Sequence, residues 1–238
     1  MRIVMIGGAG HVGRLIGPAV AGLGEVVVAD RAGVPPVAWA STVDVDVQDA
    51  DSLRVALRDA DVVVYLAMGT KDGWGGLSWA QSQFEVNVLG LHTALEVAVE
   101  CGVAHVVIAG SMSVFADFRN AAAGDLPDAV DAYGLSKRLG EEVARAVAVR
   151  HGVDVTVLRL VLPMGDEIWA ADANHEHADV MTSGTDTAAA FVAAVRRRPS
   201  GFRTFAISGD RTSEQVDVSE ALAGLGWAPT AVRQTAMS

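Results

Sequence analysis

The chain alternates between short apolar runs and longer segments in which apolar residues recur with helical spacing. Six runs rich in valine and isoleucine predict buried strands at 2–6, 25–30, 41–47, 61–67, 104–111 and 153–160. Helical patterns fall between them at 11–24, 49–60, 81–101 and 131–151, and Pro18 is expected to disturb the first of these helices. Alternation of this kind predicts an α/β fold with a doubly wound parallel sheet.

The last part of the chain has a different pattern. Residues 163–184 read as an irregular loop, 185–199 as a helix, 202–208 as a strand and 218–230 as a short helix. We expect residues 1–165 to form a nucleotide-binding domain that carries the catalytic residues. Residues 166–238 are too few for an independent domain, so we expect a substrate-side segment packed on the first.

Composition excludes several classes of function. Hydrophobic residues make up 51% of the 238 residues, and the mean hydropathy of +0.32 argues against disorder. A net charge of −11 argues against nucleic acid or an anionic membrane surface as a partner. The one cysteine, Cys101, excludes an internal disulfide and a cysteine-based metal site. The chain enters its first strand without a signal-peptide pattern, so we expect a cytoplasmic protein.

A glycine pattern between the first strand and the first helix points to a nucleotide. Gly7, Gly10 and Gly13 permit a tight turn that brings a pyrophosphate to the helix N-terminus. Asp30 ends the second strand, where a carboxylate can accept the ribose hydroxyls and repel a 2′-phosphate. Arg31 could pair with that phosphate instead. The pattern favours NAD as the cofactor and makes NADP the second choice.

Tyr133 and Lys137 stand four residues apart in a chain that has only two tyrosines and two lysines. Such a pair could be a solvated contact on a helix surface. However, sixteen of the eighteen basic residues are arginines, so a lysine at this position suggests a role for a compact ammonium group. Residues at this spacing point the same way, and a nearby ammonium favours the phenolate form. We therefore predict that Lys137 lowers the pKa of Tyr133, which accepts a proton from a substrate hydroxyl.

Taken together, these motifs resemble the short-chain dehydrogenase/reductase superfamily, in its extended, NAD-dependent epimerase/dehydratase-like branch. The resemblance covers about residues 1–165, and a Rossmann-type sheet is the fold that it implies. The short tail is most similar to the compact uronate dehydrogenases, which oxidise the anomeric hydroxyl of hexuronic acids with NAD. The matching segments are "GGAGHVG" at 7–13, Asp30, "DV" at 46–47, "YLA" at 65–67, Asn87, "AGSMSVF" at 109–115 and "YGLSK" at 133–137.

The resemblance assigns roles to individual residues. It implies Ser111, Tyr133 and Lys137 as catalytic residues. The implied cofactor site comprises Gly7, Gly10, His11, Val12, Gly13, Asp30, Arg31, Asp46, Val47, Leu66, Ala67, Met68, Asn87, Tyr133 and Lys137. The implied substrate site comprises Thr70, Ser111, Met112, Ser113 and Tyr133. The substrate half departs from the uronate dehydrogenases, because Met112 and Ser113 replace an Asn-His pair and residues 161–164 are apolar.

These observations predict an NAD-dependent oxidoreductase acting on a hydroxyl of a sugar, a sugar acid or a similar small molecule. A nucleotide-sugar epimerase or dehydratase is the first alternative, and the short tail argues against it. A non-catalytic NAD(P)-sensing regulator is the second, and the complete set of catalytic residues argues against that.

The sequence also bears on other residues and on assembly. His175 and His177 are expected in a solvated loop without a metal, and Arg159 in a structural salt bridge. Trp74, Trp79 and Trp169 fall in loops near the expected crevice, where they either stack on a ligand or pack within the loop.

A homodimer is expected, because the family pairs two helices from each subunit and the helices at 81–101 and 131–151 carry additional apolar residues. These residues are Leu89, Leu91, Leu95, Val143 and Val147.

Overall fold

One sheet of seven parallel strands organises the molecule in the computed structural model, which describes residues 1–119, 121 and 124–233. Residues 120, 122 and 123, between the strand predicted at 104–111 and the helix predicted at 131–151, lie outside this description, as do residues 234–238 of the tail segment. The strand order is β3-β2-β1-β4-β5-β6-β7. The strands are β1 (Arg2–Ile6), β2 (Glu25–Asp30), β3 (Ser41–Asp44), β4 (Val62–Tyr65), β5 (His105–Ser111), β6 (Asp154–Leu160) and β7 (Phe202–Ile207). The predicted doubly wound α/β fold is confirmed.

Helices cover both faces of the sheet. They are α1 (His11–Ala21), α2 (Ala50–Ala56), α3 (Leu77–Phe84), α4 (Leu91–Glu100), α5 (Ala132–His151), α6 (Asp166–Ala171), α7 (Gly184–Arg197) and α8 (Ser219–Leu225). One apolar core joins the sheet to α1, α7 and α8, and a second joins it to α2, α4 and α5. Within the described residues, no helix is both long and apolar enough to cross a bilayer.

Two predicted elements have different limits in the structure. The third strand ends at Asp44 rather than at 47, because the chain turns where the Asp49 N–H donates to the Asp46 carbonyl over 3.0 Å. The predicted helix at 81–101 begins at Leu77, and a π-helical segment, Glu85–Gly90, separates α3 from α4. Pro18 lies inside α1, which nevertheless continues to Ala21.

The tail is more regular than the sequence predicts. The segment expected to be an irregular loop contains α6, whose first turn carries Asp166 and Glu167, where acidic side chains favour a helix start. The strand β7 pairs in parallel with β6, from Val155 opposite Phe202 to Leu160 opposite Ile207. Asp186 of α7 holds the segment that follows α8, because its carboxylate accepts the N–H groups of Thr230 and Ala231.

Most of the apolar residues that suggested a dimer face belong to the core. Leu91, Leu95 and Val147 are at most 3% exposed and pack beneath the sheet, so their inclusion in an outer face was wrong. Val143 also packs against that core. Leu89 is 53% exposed. The outward apolar surface of these helices is therefore smaller than the sequence suggested.

His105 gives the fold a predictable sensitivity to acid. Its ring is fully buried at the start of β5, and Nε2 lies 3.0 Å from the Thr156 hydroxyl. Burial lowers the pKa of His105 from 6.5 to about 4. Between these values the unfolded chain binds the proton and the folded chain does not, so stability falls as pH drops from 6.5 to 4. The shift predicts a loss of about 3 kcal/mol across this window.

We expect His105→Asn to flatten the pH dependence of the unfolding free energy between pH 6.5 and 4, measured by urea denaturation. His92→Asn, at an exposed position, is the control and should keep the slope of the unchanged protein. An unaltered slope in His105→Asn would show that other groups cause the acid sensitivity.

Candidate active site

A cleft of about 1030 Å³ opens at the carboxyl ends of the strands, where the loops that follow β1 to β6 meet. Its volume exceeds what a single small molecule needs and suits a dinucleotide together with a small substrate. Open α/β sheets bind ligands at this edge, where the strand order reverses. Here the reversal lies between β1 and β4.

The glycine loop forms one wall of this cleft. Gly7 has a φ of +76°, and a Cβ there would lie 2.6 Å from the Ala67 backbone nitrogen. A Cβ on Gly13 would lie 2.0 Å from the Gly8 carbonyl oxygen. Gly10 precedes α1 and places no side chain over the first helical turn. The loop thus brings the N-terminus of α1 to the cleft without covering it, which fits a pyrophosphate.

Asp30 lies in the cleft wall beside this loop. Its carboxylate accepts the Ala9 N–H over 3.0 Å and the Arg31 N–H over 2.8 Å. These bonds hold the carboxylate at the end of β2 and join it to the glycine loop. A fixed negative charge at this position favours a ribose with free hydroxyls over one carrying a 2′-phosphate.

Seventeen of the predicted site residues line the cleft, whereas Gly13 and Asn87 do not. Gly13 lies behind the glycine loop, and Asn87 is buried in the π-helical segment. The lining residues are Gly7, Gly10, His11, Val12, Asp30, Arg31, Asp46, Val47, Leu66, Ala67, Met68, Thr70, Ser111, Met112, Ser113, Tyr133 and Lys137.

The start of α5 brings Tyr133 and Lys137 to the same cleft as Ser111. Asp131 caps the helix and accepts the N–H groups of Tyr133 and Gly134. A Cβ on Gly134 would lie 2.2 Å from the Ser113 carbonyl oxygen, so the helix packs directly against the turn after β5. The Lys137 ammonium donates to the Ala109 carbonyl over 3.1 Å and lies 6.0 Å from the centre of the Tyr133 ring.

The structure shifts the pKa values of both Tyr133 and Lys137. Burial raises the pKa of Tyr133, and hydrogen bonding with Ser111 offsets only part of that rise. The effect of burial thus dominates in this structure, and the lowering of the Tyr133 pKa by Lys137 stays a prediction. Burial lowers the pKa of Lys137 to about 8, against the opposing effect of Glu141. At neutral pH the phenol is therefore protonated and most of the lysine is charged.

Asn87 lies behind Lys137, in a position that the sequence alone did not define. Its side-chain amide donates to Gln83 over 3.2 Å and to the Ser136 hydroxyl over 2.9 Å, while its oxygen has no partner among the described residues. Asn87 and Lys137 line a small cavity of about 10 Å³. That volume is close to the minimum for one water molecule.

Known proteins with related sequences identify the family. A model of the NAD dependent epimerase/dehydratase family matches residues 3–202. The chain belongs to this family. The resemblance stated from the sequence is thus confirmed.

Two relatives are similar to this chain in sequence, and one solved structure is similar to it in fold. An L-arabinose 1-dehydrogenase (NAD(P)(+)) of Haloferax volcanii is 30% identical over 177 residues, which cover 67% of this chain and 66% of that protein. A uronate dehydrogenase of Pseudomonas putida is 25% identical over 170 residues, which cover 67% of this chain and 60% of that protein. The matches thus span less than two thirds of either relative.

The solved structure is a short-chain dehydrogenase/reductase superfamily protein from Agrobacterium tumefaciens with bound NAD. It superposes with a TM-score of 0.82 at 18% identity, over 98% of this chain and 93% of that one. At this identity the likeness concerns the fold alone, and it confirms the Rossmann-type architecture.

Of the three tryptophans expected near the crevice, Trp74 lines the cleft, whereas Trp79 and Trp169 are buried. Phe118 and His177 also line the cleft, although the sequence did not assign them to it. His177 comes from the loop expected to be solvated. Among the described residues there is no group of three that could hold a metal ion. No local pattern in the sequence marks Phe118 or His177, since the tertiary fold alone brings their loops to the cleft.

Two arginines organise the surroundings of the site. Arg159 makes two hydrogen bonds to the buried Glu141 carboxylate, at 2.9 and 2.7 Å, which confirms its predicted salt bridge. Arg119 pairs with Asp179 at 2.7 Å and donates to His177 Nδ1 over 3.1 Å. The second arginine thereby joins the loop after β5 to the loop that carries His177.

Proposed function

We propose that the protein is an NAD-dependent oxidoreductase that oxidises a hydroxyl group of a sugar, a sugar acid or a similar small molecule. The observation that carries this proposal is the presence of Ser111, Tyr133 and Lys137 in one cleft with the glycine loop. The relatives named as arabinose and uronate dehydrogenases support the same reaction class. NAD would supply the hydride acceptor.

Each side chain of the site has a role in this proposal. Tyr133 takes the proton of the substrate hydroxyl, and Ser111 holds the same oxygen by a hydrogen bond. Lys137 binds the cofactor ribose and supplies a positive charge beside the phenol. The raised pKa of Tyr133 means that this charge has to act together with the bound ligands before the phenol can serve as a base. Asp30 and the N-terminus of α1 hold the adenosine half of the cofactor.

Epimerase or dehydratase chemistry is the second candidate, because the matching family is named for it. Both reactions use a bound NAD that is reoxidised before the product leaves. A nucleotide diphosphate needs a wide binding surface beyond the sheet. Here the residues after β6 form β7 and the helices that cover the sheet, which favours a smaller substrate. A regulator that only senses NAD(P) would not need the three catalytic side chains.

Asp30 should control the choice of cofactor. Asp30→Asn keeps an oxygen for the Ala9 N–H but removes the charge that repels a 2′-phosphate. We expect the ratio of the NADP and NAD dissociation constants to fall about tenfold, which corresponds to about 1.4 kcal/mol. Titration of tryptophan fluorescence measures both constants. Asp44→Asn, on the neighbouring β3, is the control and should keep the original preference; an unchanged ratio in Asp30→Asn would assign the selectivity to Arg31.

Tyr133→Phe should keep the fold and the binding of NAD but reduce turnover by about 10²-fold or more, because only the hydroxyl is lost. Lys137→Arg should be nearly as harmful, since the larger guanidinium spreads the charge and does not fit the space of an ammonium. The readout is NADH formation across a panel of aldoses, uronates and polyols. Arg150→Lys makes the reverse exchange at an exposed position in the last turn of α5, outside the cleft, and should leave turnover unchanged. Full activity of Tyr133→Phe would mean that the pair is structural.

We further propose that the protein is a cytoplasmic homodimer paired through the outer faces of the π-helical segment, α4 and α5. Leu89 is 53% exposed and Leu139 is 37% exposed on this side of the molecule. Light scattering at micromolar concentration should give the mass of a dimer, and Leu89→Asp combined with Leu139→Asp should give a monomer. Leu222→Asp, on α8 at the opposite face of the sheet, is the control. A monomeric unmodified protein would contradict the proposal.

A further inference from the structure

Trp74 is unusual in being a large aromatic side chain that is 64% exposed directly beside the catalytic tyrosine. Its ring centre lies 5.7 Å from that of Tyr133, with 45° between the planes. It also lines the cleft. Its place at the cleft, beside the side chain proposed as the catalytic base, is where the flat face of a ligand could cover an indole.

The loop that carries Trp74 is fixed at both sides of the indole. Before it, the Thr70 N–H donates to the Ser82 hydroxyl over 3.1 Å, and Gln83 donates to the Thr70 carbonyl over 2.9 Å. Around it, the Gly76 N–H closes a turn on the Gly73 carbonyl over 2.9 Å, and Trp74 lies within that turn. These bonds hold the backbone of the loop against α3.

A second aromatic ring supports the first. Trp79 is 5% exposed, and its ring centre lies 4.5 Å from that of Trp74. One edge of the Trp74 indole therefore rests on a buried ring, while most of its surface faces the solvent at the mouth of the cleft. Aromatic contacts of this type add about 0.5–1.5 kcal/mol beyond area burial, enough to favour one orientation of an exposed side chain.

We propose that Trp74 is a substrate-binding residue on which the ring of a cyclic, unmodified aldose stacks while one sugar hydroxyl reaches Tyr133. This inference rests on the proposed function and names the substrate class for the same site. The carbon–hydrogen face of a pyranose or furanose ring is flat and apolar enough to cover an indole. Acyclic polyols have no such face, so the site should prefer the cyclic sugar over the open-chain alcohol of the same configuration.

The surroundings of the cleft agree with this substrate class. Met112, Leu162 and Met164 line the cleft with apolar surface. Arg119, the arginine of the adjoining loop, is paired with Asp179 and does not line the cleft, whereas Lys71, in the loop of Trp74, does. Stacking on Trp74 would orient an uncharged sugar without the salt bridge that Lys71 could offer to a sugar acid.

The kinetic test compares Trp74→Ala and Trp74→Phe with the unmodified protein, using L-arabinose and D-glucose as substrates. Trp74→Ala should raise the KM for the sugar about tenfold, keep kcat within about twofold and leave the dissociation constant of NAD unchanged. Trp74→Phe should recover most of the affinity. Leu77→Ala removes a side chain that is 77% exposed at the start of α3, outside the cleft, and should change nothing.

Direct binding separates this inference from the proposed reaction. Saturation-transfer NMR on the protein with NADH should show L-arabinose binding that is lost in Trp74→Ala and kept in Trp74→Phe, with weaker signals from L-arabinitol. That result would support stacking even if no sugar were oxidised. Equal binding of both compounds, sugar binding that survives Trp74→Ala, or a variant that loses kcat or NAD affinity at unchanged KM would overturn the proposal.

Discussion

The parallel pairing of β1 with both β2 and β4 is the constraint on which the rest of the structure depends. The strands β2 and β3 lie on one side of β1, and β4 to β7 lie on the other. The connections on the two sides of β1 therefore run in opposite directions along the sheet. The loops at the carboxyl ends of the strands separate there and leave a cleft. The glycine loop enters it from β1, Asp30 from β2 and Ser111 from β5. No single segment contains the site, and the sheet alone brings its parts together.

The second determinant is the close approach of α5 to the turn after β5 and to the π-helical segment. Gly134 and Gly140 permit this approach, since a Cβ on either would lie within 2.6 Å of a backbone oxygen. Lys137 is thereby fixed on the Ala109 carbonyl, and Tyr133 reaches the cleft beside Ser111. Burial raises the pKa of the phenol and lowers that of the ammonium. The packing of α5 thus shifts the pKa values of both side chains through burial.

The sequence predicted the parts of this molecule that depend on local pattern. The alternation of apolar runs and helical segments predicted the sheet, and the glycine pattern and the Tyr133–Lys137 spacing predicted residues that the structure brings together in one cleft. The sequence did not predict the π-helical segment around Asn87, because one extra residue in a single helical turn is not recognisable in the spacing of the apolar residues. It also missed Phe118 and His177, which reach the cleft only through tertiary packing. The direction of the pKa shift of Tyr133 depends on how deeply its side chain is buried, and the spacing of residues in the sequence does not show this.

In the proposed reaction, hydride leaves a sugar carbon and is released on NADH. The most direct measurement uses an aldose substrate that carries deuterium at the carbon to be oxidised, with mass spectrometry of both products. Sugar oxidation should give NADH that carries one deuterium, formed in equal amount with an oxidised sugar that has lost the label. A sugar that changes configuration or loses water while keeping its label, without net NADH, would contradict it and assign the protein to epimerase or dehydratase chemistry.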